Sequence, residues 1–270
     1  MPARPITFLS DYGTDDEFAG VCRAVIARIA PEAPVIDLTH GIERHDVRQG
    51  ATVLANALPF SPAGVHLAVV DPEVGTERRA VAVRVAEEER VLVGPDNGLL
   101  WPATERFGGP LEAADISLSP FRLEPLSATF HGRDVFAPVA ATLAQGASLG
   151  EVGSPLPPNA LTTIESSEAR IDDGRTLAHV VYLDHYGNAV LDVGERQLPE
   201  TGLRLGHHAV VETASGSAEA VFARTFADVG PGGLLLYVDS YRSLALAVNR
   251  GSAAKTLGIA AGDDVVLRAP

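Results

Sequence analysis

Cysteine, long apolar runs and basic charge are what this 270-residue sequence has little of. Cys22 is the only cysteine, which excludes an intramolecular disulfide and a cysteine-based zinc cage. It falls among helix-periodic apolar residues and reads as a buried structural thiol rather than a nucleophile. No apolar run is long enough for a transmembrane helix, and the stretch from Met1 to Leu9 has one charge and too short an apolar run for a signal peptide. The expectation is a cytoplasmic protein with no membrane partner. Basic residues number 21 against 35 acidic ones, a formal net charge of −14. That balance argues against a nucleic-acid partner, whose phosphates need clustered Lys and Arg, and suits a cationic small substrate. Neither a GxGxxG nor a P-loop glycine pattern occurs, so a nucleotide would not be held by a phosphate cradle, and no internal repeat or low-complexity tract is present.

What is present is the 46% hydrophobic and 21% charged balance of a folded protein, in a chain long enough for two domains. Ile6 to Leu9 reads as a strand. Phe18, Val21, Cys22, Val25, Ile26 and Ile29 then recur at the spacing of a buried helix face, and Thr14-Asp15-Asp16-Glu17 fits a capping box ahead of them. Val35 to Leu38 and His66 to Val70 read as strands, with a helix over Val47 to Leu58 between them. This alternation implies a parallel sheet covered on both faces. Ala80 to Val85 and Val91 to Val93 continue the sheet, and Asp134 to Ala144 reads as a closing helix. Gly153 to Thr176, rich in Pro, Ser and charge, reads as a linker. Closely spaced strands follow at His179–Leu183, Val190–Val193, His208–Thr213, Leu234–Val238, Leu244–Val248 and Val265–Leu267. The expected organisation is an α/β domain over 1–155 with a mostly parallel sheet flanked by helices, a linker over 156–176, and a smaller, mainly antiparallel, barrel-like β domain over 177–270.

Polar residues collect where the strands should end: Asp11 after the first, Asp37 and His40 after the second, Asp71 after the third. In an open α/β sheet that edge is the ligand crevice. Asp11 is placed to accept hydrogen bonds from a ribose diol, or, with Asp16, to cap a turn and the following helix. The stretch VVDPEVGTERR carries Asp71 through a Pro-Gly turn to Arg78 and Arg79, either a solvated ion pair or part of a site. GPDNGLLW, taken alone, is a tight turn. TFHGRD sets His131 and Arg133 ahead of a helix, as a cap or as a catalytic group. LDHYGNAV offers Asp184, Tyr186 and Asn188 at a strand-to-turn junction. The Asn has the donor and acceptor that the edge of an adenine needs, and an ordinary hairpin turn has the same pattern. Ser240, Tyr241, Asn249 and Arg250 flank a later strand beside a Gly-Ser turn.

The segments SDYGTDDEFAGVCRAVI, DLTHGIERHDVRQGA, VVDPEVGTERRAVAV, GPDNGLL, TFHGRDVFAPVAA, LDHYGNAV and SLALAVNRGSAAKTLG resemble, in order and approximate spacing, the S-adenosylmethionine hydroxide adenosyltransferase family. That family is related to the fluorinating and chlorinating enzymes that act on S-adenosylmethionine, and the resemblance runs from about Ile6 to Leu267. It implies hydrolysis of S-adenosylmethionine to adenosine and L-methionine by water at ribose C5′. It also implies a homotrimer with active sites where an N-terminal domain meets a neighbour's C-terminal domain, and neither cofactor nor metal. By position in the motifs it assigns Asp71, Arg78 and His131 to catalysis, Asp11 to the ribose hydroxyls, and Asp16, Asp184 and Ser240 to the methionine. Asn188 and the backbone of Arg250 are assigned to adenine, and Tyr186 to the pocket lining. Two positions depart from the fluorinase pattern: His45 stands where that enzyme has Trp, and Tyr241 where it has Arg. The fluorinase also has Tyr at the Asp71 position and lacks the Arg, so the set here favours water as nucleophile. The alternatives are halide transfer, which a retained Asp71 carboxylate opposes by repulsion, and a non-catalytic sensor of S-adenosylmethionine or adenosine.

Overall fold

In the computed structural model, which describes residues 3–165, 167–172 and 174–269, the chain divides after Ile164 into two units. Among the described residues the first unit is built on a seven-stranded sheet: β1 (Ile6–Ser10), β2 (Val35–Thr39), β3 (Val65–Val69), β4 (Ala80–Val85), β5 (Val91–Pro95), β6 (Pro110–Asp115) and β7 (Ser154–Leu156). Their spatial order is β2-β1-β3-β5-β4-β6-β7. β2, β1, β3 and β5 run parallel, β4 is antiparallel to both β5 and β6, and β7 is antiparallel to β6. The connecting helices are α1 (Phe18–Ile29), α2 (Val47–Ala57), α3 (Trp101–Arg106), α4 (Ala137–Ala144) and α5 (Leu149–Val152).

Alternation along the strands builds two apolar layers. Val65, Leu67 and Val69 of β3 join the layer that holds residues of α1, α4 and α5, whereas Ala68 and the following Val70 join α2 and α3 on the other face. A strand buried on both faces reads as a continuous apolar run for this reason. Each fully buried Leu or Ile contributes roughly 1.5–3 kcal/mol, so the strand ends that carry the polar residues project from a firmly packed support.

Three local details differ from the sequence pattern. The capping box expected at Thr14–Glu17 does not form: Glu17 is itself the N-cap of α1, in a helical conformation and with no side-chain bond to the helix. A capping side chain must sit at the N-cap to reach the amides of the first turn, and Thr14 lies three residues too early. The helix expected from Asp134 is preceded by a π-helical turn, Gly132–Phe136, and α4 begins at Ala137. Within the stretch read as a linker, Ser154–Leu156 completes the sheet as β7, and Thr162 donates its amide to Asp96 at 2.7 Å.

The second unit contains β8 (Arg170–Asp172), β9 (Arg175–Leu183), β10 (Ala189–Gly194), β11 (His208–Thr213), β12 (Gly216–Phe222), β13 (Leu234–Val238), β14 (Ser243–Val248) and β15 (Asp264–Arg268), with a short helix α6 (Ala253–Leu257). The pairings β9-β10-β14-β13-β12-β11-β15-β9 close a ring, with β8 added to β9. All of these contacts are antiparallel except β12 with β13. Val180, Val211, Leu236, Leu246 and Val265 belong to its buried core. Closure removes the unpaired edges that an open antiparallel sheet leaves. No helix among the described residues is long and apolar enough to cross a membrane.

Candidate active site

β1 and β3 are neighbours, with Ser10 opposite Val69, so Asp11 and Asp71 leave the sheet side by side at its C-terminal edge. The chain from Asp71 to Arg79 then passes over the end of β5 to enter β4, because β5 lies between β3 and β4 in the sheet. Gly75 adopts a φ of 82° in this loop. It lies so close to the Ala128 carbonyl that a Cβ would collide with it, a place only glycine fills without strain. That approach brings the segment carrying His131 onto the loop.

Asp71, Arg78 and His131 meet there. Arg78 Nε donates to Asp71 Oδ1 at 3.0 Å, and Arg78 Nη2 makes a short bond to Asp71 Oδ2. The same Nη2 lies 3.1 Å from His131 Nδ1, and Nη1 donates to the Arg79 carbonyl at 3.0 Å. The guanidinium also lies 5.3 Å from the centre of the Phe136 ring. Side-chain exposure is 4% for Arg78 and 6% for Asp71, so this forked pair is held out of water, where charge-assisted bonds are strong. A guanidinium has only donors, so His131 Nδ1 must accept. The imidazole is therefore the neutral tautomer with its proton on Nε2.

Burial pushes the Asp71 carboxyl above its ordinary range, opposed by the charge and hydrogen bonds of Arg78. Burial and then the Arg78 charge push His131 below the ordinary histidine value, with Asp71 acting in the other direction. The two groups thus move toward a base that holds protons better and an imidazole that stays neutral. Tyr12, next to Asp11, packs edge-on against Phe8 and Phe130, and burial holds its phenol well above the usual range. Its hydroxyl sits against Gly132, where a Cβ would clash with it. Behind His131, Asp134 is buried and accepts from Arg133 Nε at 2.6 Å and from the Ser127 amide at 2.8 Å.

Of the other residues singled out in the sequence, Asp11 accepts the His45 amide at 3.0 Å, and His45 has a φ of 66°. Asp16 is exposed in the bend before α1. His40 is turned inward, with Nδ1 2.7 Å from Ser10 Oγ. In the second unit, Asp184 Oδ1 accepts the amides of Tyr186 and Asn188, both at 2.9 Å, and its Oδ2 accepts Asn188 Nδ2 at 2.7 Å. Asp184 thereby organises the turn between β9 and β10, leaving Asn188 buried and Tyr186 exposed. Arg250, at φ 59°, follows β14. Ala189 pairs with Leu246 and Val190 with Ala245, so this turn and Arg250 share one end of the β10–β14 pair. Ser240, in the turn between β13 and β14, is at the other end. Within the first unit the structure thus brings together Asp71, Arg78 and His131, with Asp11 on the neighbouring strand end. The sequence left Arg79 as a neighbour of Arg78 and GPDN as a tight turn, with no role assigned to Asp96 or Asn97. The signal was the GPDN turn, whose polar side chains reach toward the residues flanking Asp71 and Arg78.

The SAM hydroxide adenosyltransferase N-terminal domain model matches residues 6–153, and the C-terminal domain model of the same family matches residues 178–266. An (R)-S-adenosyl-L-methionine hydrolase of Salinispora arenicola is 45% identical over 263 residues, covering 96% of each chain. A fluorinase of Nocardia brasiliensis is 28% identical, covering 98% of this chain and 97% of its own. The crystal structure of a conserved protein from Thermotoga maritima superposes with a TM-score of 0.90 at 34% identity, covering 97% of this chain and 99% of that one. With both domain models matched and close relatives aligned over nearly their whole length, the chain belongs to the SAM hydroxide adenosyltransferase family.

Proposed function

We propose that this protein hydrolyses S-adenosyl-L-methionine to adenosine and L-methionine by attack of water at ribose C5′. The observation that carries the reading is the buried Asp71–Arg78–His131 cluster, in a chain whose relatives at 39–45% identity are named (R)-S-adenosyl-L-methionine hydrolase. A new C5′–O bond forms as the C5′–S bond breaks. The sulfur keeps the bonding pair and leaves as the neutral thioether of methionine, and the water loses one proton.

The leaving group is already activated, so the difficulty lies with water, whose pKa is about 15.7. Both Asp71 oxygens are bound by Arg78 yet keep further lone pairs, and burial raises the proton affinity of the carboxyl. Asp71 is the group that orients the water and takes its proton. Arg78 supplies positive charge beside the developing hydroxide. His131, accepting from Arg78 at Nδ1, has Nε2–H left to donate to the water oxygen. It does not serve as the base while that bond stands. Asp11 and Asp16 hold the ribose and the methionine amino group, and Asp184, Tyr186, Asn188, Ser240 and Arg250 of a neighbouring copy in the homotrimer supply the methionine and adenine contacts. The protein works as a cytoplasmic homotrimer without a cofactor, S-adenosylmethionine being the substrate. Its acidic surface, at net charge −14, favours approach of the sulfonium. The relatives' name specifies the R sulfonium, and this chain takes the same epimer.

The deciding experiment is incubation with S-adenosylmethionine in oxygen-18 water, followed by mass analysis of the nucleoside. Adenosine labelled at the 5′ oxygen is expected; unlabelled adenosine rules out direct attack by water. Parallel incubations with chloride or fluoride should give no 5′-halo-5′-deoxyadenosine, because Asp71 repels a halide. Separate S and R preparations should show faster turnover of R.

A further inference from the structure

Asp71 and Arg78 close on one another over the end of a strand that belongs to neither of them. β5 lies between β3, which delivers Asp71, and β4, which follows Arg78. Strands two places apart in a sheet are separated by about 9.5 Å. The bond between the two side chains therefore depends on how the exit of β3 and the entry of β4 are held across that gap.

The turn that leaves β5 reaches both. Asn97 Nδ2 donates to the Val70 carbonyl at 2.9 Å, one residue before Asp71, while Asn97 Oδ1 accepts the Leu99 amide at 3.2 Å. Asp96 holds Arg79, one residue after Arg78. Its amide donates to the Arg79 carbonyl at 2.9 Å, and its Oδ2 accepts Arg79 Nε at 2.8 Å and Nη2 at 2.5 Å. That same Arg79 carbonyl accepts Arg78 Nη1 at 3.0 Å, so Asp96 and the Arg78 head group share an anchor. The Asp96 side chain is 3% exposed, and its other oxygen accepts the Thr162 amide. A buried carboxylate bound on both oxygens is fixed in place.

We infer that Asp96 and Asn97 are positioning residues for the reaction, a clamp at the end of β5 that sets the register of Asp71 against Arg78. The inference rests on the reading of those two residues as the water-activating pair. A misplacement of about 1 Å at a reacting group costs on the order of 10²-fold in rate, and a forked guanidinium–carboxylate contact has narrow geometric tolerance.

The test compares kcat and KM for Asn97→Ala and Arg79→Met with those for Arg78→Met and Leu143→Ala, each assayed well below its own melting temperature. Arg79 is partly exposed and Asn97 is small, so at least one of the two clamp variants should fold. Leu143 is buried near the end of α4, and its carbonyl accepts Arg4 Nη2 at 2.9 Å ahead of β1, at the sheet edge opposite the site; its truncation should lower Tm and leave kcat unchanged. The clamp variants should lose roughly 10- to 10²-fold in kcat with KM within about threefold of wild type. That split is one a merely structural role would not produce. Clamp variants at the wild-type kcat, beside an inactive Arg78→Met, overturn the inference alone. Wild-type turnover by Arg78→Met removes the catalytic pair and the inference with it.

Discussion

Replacing Arg78 by Met leaves a carboxylate buried without its partner, and the cost can be worked out. Asp71 has 6% side-chain exposure, so water does not substitute for the lost guanidinium. Its escape is to take up a proton. From the ordinary carboxylate value of 3.8 to pH 7 is about 3.2 units, a ceiling of roughly 4.4 kcal/mol at about 1.36 kcal/mol per unit. This falls within the roughly 3–5 kcal/mol expected for orphaning one member of a buried ion pair. The sign follows from linkage: in the variant the folded state holds a proton that the unfolded state has released, so stability falls as pH rises above the unfolded value. At pH 5 the ceiling shrinks to roughly 1.6 kcal/mol. For a unit of this size each kcal/mol shifts Tm by about 2–4 °C, so Arg78→Met should melt up to ~9–18 °C below wild type at pH 7 and only ~3–6 °C below it at pH 5. Trp101, the only tryptophan, lies in α3 and reports the first unit by fluorescence. The double variant Asp71→Asn, Arg78→Met removes both charges and should regain most of the stability while remaining inactive. A loss of stability that does not change with pH, or a double variant no more stable than Arg78→Met, would refute the buried-pair account.

Asp71→Asn should lower kcat by about 10²–10⁴-fold, the range for a lost general base, measured as adenosine release by chromatography; wild-type turnover would sink the mechanism. In wild type, kcat should fall on acidification along a limb above the ordinary Asp value of 3.8 and below the ordinary His value of 6.5, and stay flat above neutrality. Protonating Asp71 removes the base and protonating His131 removes the acceptor for Arg78, so both act in the same direction. A limb centred well above pH 7 would contradict these shifts. Away from the site, His66 is fully buried, bonded through Nδ1 to Thr7 and through Nε2 to Arg90; burial, then the charges of Arg90 and Arg4, push it down to about 3. Its contribution to stability is complete above 6.5 and is lost as pH falls toward 3, on the order of 4–5 kcal/mol across the window. Urea melts of wild type and His66→Gln should diverge at pH 7 and converge near pH 4.

The elements legible in the sequence were those with enough residues to show a period. α1 and α2 repeat their buried positions over three turns, and β1, β3, β4 and β5 are apolar runs because both faces of the sheet are covered. α3 has six residues opening on Trp-Pro, β6 reads Pro-Leu-Glu-Ala-Ala-Asp, and β12 opens on Gly-Ser. None carries enough β-branched or periodic signal to stand out from a loop. Thr14–Glu17 had the composition of a capping box without its placement, since which residue becomes the N-cap depends on where packing starts the helix.

The sequence by itself determined the residue chemistry at the strand ends: Asp11 and Asp71 close apolar runs, and the ordered motifs name His131 as a partner from a distant segment. It also determined that a doubly covered sheet would present those ends at one edge, because alternation and burial are local properties of the chain. Only the tertiary structure showed that Arg78 binds both oxygens of Asp71 while Arg79 turns to Asp96. It also decided that His131 must accept rather than donate at Nδ1, and that the GPDN turn grips the neighbours of Asp71 and Arg78. The reason is strand order. β5 enters the sheet between β3 and β4 although it follows both in the chain, and no local pattern encodes which strand lies beneath a loop.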